Sequence, residues 1–305
     1  MADLDLSADL KFIRLKNPVI PASGTFGYGE EFLEFFDLDL LGALVLKGIY
    51  KNPRTGNPPP RIHETASGLL NSIGLAGPGA VELQNIIRRV RKATSTPIIV
   101  NVCGGEDEEY LEVAQIFDIM PEVAMLELNI SCPNVRQGGK CPAQDDRHTF
   151  RLVQLIKQNT QKPLIVKLSP NAVDISSVAL AAQEAGADAL SLVNTFLGLA
   201  VDLDKRVTVF KNIFAGLSGP AIKPLALKLV WQVAQSVQIP VIGIGGITSG
   251  RDVLEYMLVG ASAVQVGTVN MVEPCACLRI IEEIRQVMTE LNIQDLYEIK
   301  GKLEV

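Results

Sequence analysis

Pro240-Val241-Ile242-Gly243-Ile244-Gly245 and Ser262-Ala263-Val264-Gln265-Val266-Gly267 are two short, mostly apolar runs with a segment of helical spacing between them. Continuous apolar runs, rather than strict alternation, are what strands buried on both faces look like. The same unit recurs upstream, with runs at 18–22, 43–47, 97–102, 124–129, 163–168 and 188–193. Between them, residues 80–92 set Val81, Leu83, Ile86, Ile87 and Val90 near one helical face, with Arg88, Arg89 and Arg91 outside it. Residues 173–185, 222–237 and 251–259 behave similarly. Eight such strands alternating with helices predict an α/β chain folded as a (β/α)8 TIM barrel, with a doubly wound open sheet as the alternative. Residues 10–15 predict an N-terminal hairpin that closes the bottom of the barrel. Two connections are too long for simple loops, 48–79 after the second strand and 196–220 after the sixth, and long insertions in compact domains are usually functional. No repeat or linker divides the chain, so residues 1–305 are expected to form one domain.

Bulk properties narrow the function. The chain has 305 residues, 48% of them hydrophobic and 20% charged, with a net charge of −6 and no basic run. That argues against disorder and against a nucleic-acid partner. No apolar stretch approaches the roughly 18 residues of a membrane span. The acidic start Met1-Ala2-Asp3-Leu4-Asp5 does not resemble a signal peptide. Five scattered cysteines (103, 132, 141, 275 and 277) suit a reducing compartment better than a disulfide framework. The expected location is cytoplasmic, with no membrane partner.

In a parallel barrel the active site lies at the C-terminal ends of the strands. Those positions here are Ser23, Lys47, Asn101, Asn129, Lys167, Asn194, Gly245-Gly246 and Gly267-Thr268. Two lysines and three asparagines converging after buried runs are costly unless a polar ligand satisfies them. For any single asparagine, capping of the following helix is an equal alternative. The glycine turns after the last two strands, with Ser218-Gly219 before them, suit a phosphate held by backbone N–H groups. No Walker sequence or dinucleotide fingerprint is present, so a mononucleotide cofactor fits better than NAD or ATP.

Asn129-Ile130-Ser131-Cys132-Pro133-Asn134 is similar to the catalytic loop of the first class of dihydroorotate dehydrogenases, and Asn71-Ser72-Ile73-Gly74-Leu75 to their substrate loop. Leu217-Ser218-Gly219-Pro220-Ala221-Ile222-Lys223-Pro224 and Gly245-Gly246-Ile247 resemble their FMN phosphate region. The resemblance runs from about Leu10 to about Glu283 and implies oxidation of dihydroorotate to orotate on FMN. It implies Cys132 as the base, with Lys47 and Lys167 completing the catalytic set. Ser23, Lys47, Gly48, Asn101, Asn129, Lys167, Val193, Gly219, Gly245, Gly246, Gly267 and Thr268 should contact FMN. Lys47, Asn71, Ser72, Ile73, Gly74, Leu75, Asn129, Asn194 and Thr195 should hold the substrate. Serine in place of Cys132 would instead resemble the quinone-using, membrane-associated class.

Residues 217–224 and the Asn-Ile-Ser-Cys form of the base loop look more like the NAD-linked (B) type. That type implies a partner subunit carrying FAD and a 2Fe–2S cluster, in a heterotetramer of two catalytic and two electron-transfer chains, with the catalytic chain as a homodimer. No set of four closely spaced cysteines is present to hold such a cluster here. Cys275-x-Cys277, at the start of an apolar helix, is expected to be core packing, as is Cys103; no metal site is expected. A fumarate-reducing homodimer of the A type and a flavin enzyme for another dihydropyrimidine are the alternatives. Lys140-Cys141-Pro142-Ala143-Gln144-Asp145 departs from the family's usual lid, and residues 206–214 are also atypical.

Overall fold

The structure is a computed structural model that describes residues 4–131 and 145–305. Eight parallel strands follow one another around a barrel: β1 Val19–Pro21, β2 Leu44–Val45, β3 Ile98–Val102, β4 Val123–Asn129, β5 Leu164–Lys167, β6 Ala189–Leu192, β7 Val241–Ile244 and β8 Ala263–Val266. Each pairs in parallel with its neighbour from β2 round to β8, and β8 pairs with β1. The seam between β1 and β2 is bridged by the Gly42 N–H, which donates to the Val19 carbonyl at 3.0 Å. Every residue of these strands is buried except Ala124 and Asn129, which are half-buried. That is the outcome the continuous apolar runs predict.

Among the described residues, the outer layer comprises α1 Ala80–Arg91, α2 Asp107–Asp118, α3 Asp146–Asn159, α4 Ile175–Glu184, α5 Lys223–Ser236, α6 Gly250–Leu258 and α7 Ala276–Glu290. Their starts are fixed by local chemistry: Asp145 and Asp174 each accept two backbone N–H groups at N-cap positions, and Ser249 with Asp252 forms a capping box. Asp145 is thus the N-cap of α3. The hairpin is a little longer than expected. Its arms are Ala8–Asp9 and Arg14–Leu15, so residues 10–13 are its turn. Ala8, Leu10 and Leu15 pack with Ile20, Val45, Ile99, Met125, Ile165, Ala189, Ile242 and Ala263, one or more residues from every strand, and plug the lower end of the barrel.

The two insertions meet. Ile62–Thr65 and Gly68–Asn71 from the first, and Phe196–Leu199 and Phe214–Ser218 from the second, form one four-stranded antiparallel sheet. Its central register pairs Asn71 with Gly216, Leu70 with Leu217 and Leu69 with Ser218. The atypical stretch 206–214 supplies the short strand Val207–Thr208 and the first residue of Phe214–Ser218.

Candidate active site

Four side chains pointing into the barrel above the plug are polar and almost or wholly inaccessible: Asn101 on β3, Glu127 on β4, Ser191 on β6 and Gln265 on β8. They converge on one carboxylate. Glu127 Oε1 accepts from Asn101 Nδ2 at 2.6 Å, and Oε2 accepts from Ser191 Oγ at 2.8 Å and Gln265 Nε2 at 2.5 Å. From this layer the amides climb to the mouth. Asn129 Nδ2 donates to Asn101 Oδ1 at 3.1 Å, and Asn194 Nδ2 donates to Asn129 Oδ1 at 3.4 Å. Part of the hydrogen-bonding capacity of the asparagines is thus met within the ladder itself. Among the described residues none of them caps the helix that follows it, since Glu106, Asp145 and Ile222 occupy the N-caps of α2, α3 and α5.

The two lysines are different. Lys167 ends β5 as the register partner of Asn129 and is 5% exposed. Its ammonium donates to Ser23 Oγ at 3.3 Å and joins no carboxylate among the described residues. A buried ammonium with one neutral oxygen partner is suited to receiving an anion. Lys47 follows β2 and is half-buried. Burial and the nearby Arg61 guanidinium hold its ammonium below the ordinary value, while Glu31 acts in the opposite direction.

The insertion sheet brings the remaining residues over the mouth. Asn71 Nδ2 donates to the Gly216 carbonyl at 3.2 Å. Ser72–Leu75 is tied down from outside: Asn57 Nδ2 donates to the Ser72 carbonyl and hydroxyl, and the Asn57 N–H to the Ile73 carbonyl at 3.0 Å. Gly74 and Leu75 both have positive φ, 71° and 60°. Thr195 donates its N–H to Asn194 Oδ1 at 2.9 Å, and its carbonyl accepts from Asn171 Nδ2. Val193 is buried and linked to β7 through the Ile244 carbonyl.

The glycine turns lie where close approach demands them. At Gly219, φ is 95° and a Cβ would lie 2.8 Å from Gly68 Cα; at Gly246, φ is 67° and a Cβ would lie 2.7 Å from Lys223 Cβ. Only glycine fits both restrictions. The Thr268 hydroxyl donates to Ser218 Oγ at 2.8 Å, joining the turn after β8 to the insertion sheet. Asp252 secures the turn after β7. It accepts from the Thr248 N–H at 2.7 Å, the Thr248 hydroxyl at 2.9 Å and the Ser249 N–H at 2.9 Å, and it pairs with Lys223 on α5. Gly48 packs tightly too, since a Cβ there would meet Asn101 Oδ1 at 2.7 Å.

Cys132 and residues 133–144, with Lys140 and Cys141, lie outside the described residues. Ser131, immediately before, donates its hydroxyl to the Lys167 carbonyl at 3.2 Å and its N–H to Asn129 Oδ1 at 3.4 Å. Cys277 is wholly buried; burial pushes its thiol up to about 12, with a hydrogen bond to Asn270 opposing. Glu127, Ser191, Gln265 and Arg61 are absent from the residues singled out by sequence. The first three had a signal, since each is a polar residue in the middle of an apolar run.

The family model for dihydroorotate dehydrogenase matches residues 5–288. A curated relative from Geobacter sulfurreducens, "Dihydroorotate dehydrogenase B (NAD(+)), catalytic subunit", is 50% identical over 301 residues, 99% of each chain. A relative of the same name from Thermoanaerobacter pseudethanolicus is 47% identical, over 99% of this chain and 100% of that one. The crystal structure of DHODH from Eimeria tenella in complex with ferulenol superposes with a TM-score of 0.82 at 22% identity, over 99% of this chain and 90% of that one, which supports the barrel fold.

Proposed function

The chain belongs to the dihydroorotate dehydrogenase family, and from that premise we propose that it is the catalytic subunit of an NAD-linked enzyme oxidising (S)-dihydroorotate to orotate in de novo pyrimidine (UMP) synthesis. The relatives that match it end to end carry that name. The single observation that carries the reading at the level of the site is Lys167, a buried ammonium with one neutral partner among the described residues, beside an amide ladder that reaches Ser131. The family is flavin-dependent, and FMN is the form that fits a mouth with glycine turns after β6, β7 and β8. We read all of this as the work of one domain.

Oxidation of the C5–C6 bond removes a proton from C5 and a hydride from C6. FMN, when bound, supplies the hydride acceptor at N5. The chain must supply the base, and Cys132 is assigned that role because a thiolate serves once its surroundings favour it. Lys47 answers the substrate carboxylate, helped by the positive field of Arg61. Asn71, Asn129 and Asn194 offer donors and acceptors to the ring imide, with Ser72, Ile73, Gly74, Leu75 and Thr195 forming the wall around it. Lys167 would hold the flavin ring and offer it a positive charge. Ser23, Gly48, Asn101 and Val193 would line the ring side, while Gly219, Gly245, Gly246, Gly267 and Thr268 would hold the phosphate.

Electrons then leave through a second subunit, which we assign FAD and a 2Fe–2S cluster; the designation "catalytic subunit" of the relatives supports a separate partner. Leu197, Leu199, Val201, Val207 and Phe214 on and beside the insertion sheet are each more than half exposed, which supports a homodimer of catalytic chains within a two-plus-two heterotetramer. No helix among the described residues is long and apolar enough to cross a membrane, and a cytoplasmic location fits the cysteine usage. Anaerobic mixing of the flavin-loaded chain with dihydroorotate should bleach the flavin, and an unchanged spectrum would reject the reading. NAD alone should fail to reoxidise the bleached protein without the partner; reoxidation by fumarate would favour the A type.

A further inference from the structure

Glu127 is wholly buried, forms no ion pair among the described residues, and holds three neutral donors from three other strands. A carboxylate in that position is costly, and an apolar side chain of similar volume would be cheaper. What it provides is direction. A carboxylate only accepts, so Asn101 must turn Nδ2 down towards it and Oδ1 up. Asn129 must then turn Nδ2 towards Asn101, leaving Oδ1 for Asn194 Nδ2 and the Ser131 N–H. Each amide is set by the one beneath it.

We propose that Glu127 is a positioning residue for the reaction. Its carboxylate sets the orientation of the Asn101–Asn129–Asn194 ladder and so fixes which donors and acceptors face the pyrimidine ring. The inference rests on the reading that Asn129 and Asn194 hold dihydroorotate. It also accounts for an otherwise odd detail. Gln265 Oε1 is buried with no partner, because Glu127 claims the other end of that amide. The layer leaves one acceptor unmet and keeps the ladder in a single polarity.

Two variants separate direction from charge. In Glu127→Gln, the amide oxygen can stay on Asn101 while its Nε2 faces Ser191 and Gln265. Gln265 turns over, and its unpartnered Oε1 then accepts. The ladder keeps its polarity, so orotate binding by calorimetry and KM for dihydroorotate should remain within about threefold of wild type. In Glu127→Met nothing accepts from Asn101 and the ladder is free to invert. Orotate binding should weaken roughly 10- to 100-fold, with KM rising in parallel, while flavin content and kcat per bound flavin change far less. Equal behaviour of both variants, either unaffected or both impaired, overturns the proposal; joint impairment would mean that charge rather than direction matters. Should Glu127→Met fail to fold, neutron diffraction of the native protein gives the answer directly. Deuterium on the Asn101 nitrogen facing Glu127 supports the proposal, and Asn101 Oδ1 facing Glu127 overturns it. Because the neutron measurement needs no substrate, a wild type that ignores both orotate and dihydroorotate would reject the substrate assignment while leaving the ladder to be judged separately.

Discussion

The lower and upper halves of the barrel are built from the same eight strands, yet they obey opposite rules. Below, Ile20, Val45, Ile99, Met125, Ile165, Ala189, Ile242 and Ala263 close on the hairpin with no polar atom among their side chains. Above, two residues further along the same strands, Asn101, Glu127, Lys167, Ser191 and Gln265 are just as buried. The lower layer stabilises by removing apolar surface from water, about 25 cal/mol for each Å². The upper layer works against stability and is tolerated only because its groups satisfy one another or await a ligand. Burial alone therefore does not distinguish core from site; the chemistry of what is buried does.

The contrast can be broken most sharply at its top. Cys132→Ala should slow flavin bleaching by dihydroorotate about 10²- to 10⁴-fold with flavin content and Tm unchanged, measured by anaerobic stopped flow; a loss under tenfold would remove Cys132 as the base. Lys167→Met should slow reduction by roughly 10²- to 10³-fold, and thermal melting of the flavin-free protein should show it no less stable, since a buried charge with no carboxylate partner among the described residues is gone. Two residues earlier on β5, Ile165→Ala should do the reverse. It should lose about 2–5 kcal/mol in urea melts while kcat per folded molecule stays within about twofold. Ile165→Ala with normal stability would erase the distinction between the halves.

The smallest effect sharpens the contrast at the rim. Burial raises the Asp252 carboxyl, but the hydrogen bonds from Lys223 and Thr248 outweigh it and leave the group below its ordinary 3.8. A group depressed on folding stabilises above its unfolded value, and that contribution is lost as pH falls towards the folded one. Asp252→Asn should therefore cost about 1–2 kcal/mol near pH 7. The difference should shrink below roughly pH 4 in urea melts run across that range. A pH-independent difference would mean that the capping geometry, not the charge, is what Asp252 supplies.

The barrel was legible because strands buried on both faces have a plain signature; seven of the eight runs contain their strand, and β4 starts one residue before its run, at Val123. The strand-end residues were legible for the same reason, since a register read from the run places its last residue at the mouth. Two things were hidden. Sequence spacing could not show that Asn101, Asn129 and Asn194 hydrogen-bond one another, because they are neighbours only across the closed sheet. Glu127, Ser191 and Gln265 stood in view as polar interruptions of apolar runs, but their partnership depends on inward-facing positions at one height on three non-adjacent strands. The insertions were recognised as long, while their union into one sheet is a long-range pairing that no local pattern encodes.

That union has a bearing on how the protein is made. The hydrogen bond from Asn71 to Gly216 spans 145 residues of chain, so the sheet over the mouth cannot form until most of the barrel between them has been synthesised and collapsed. Contacts of such high sequence separation carry a large loop-closure entropy and form late. A ribosome-bound chain that ends before residue 214 would lack β7 and β8 and so hold neither a closed barrel nor a completed pocket. Competence to bind ligand would thus arrive at the end of folding and serve as a readout of it.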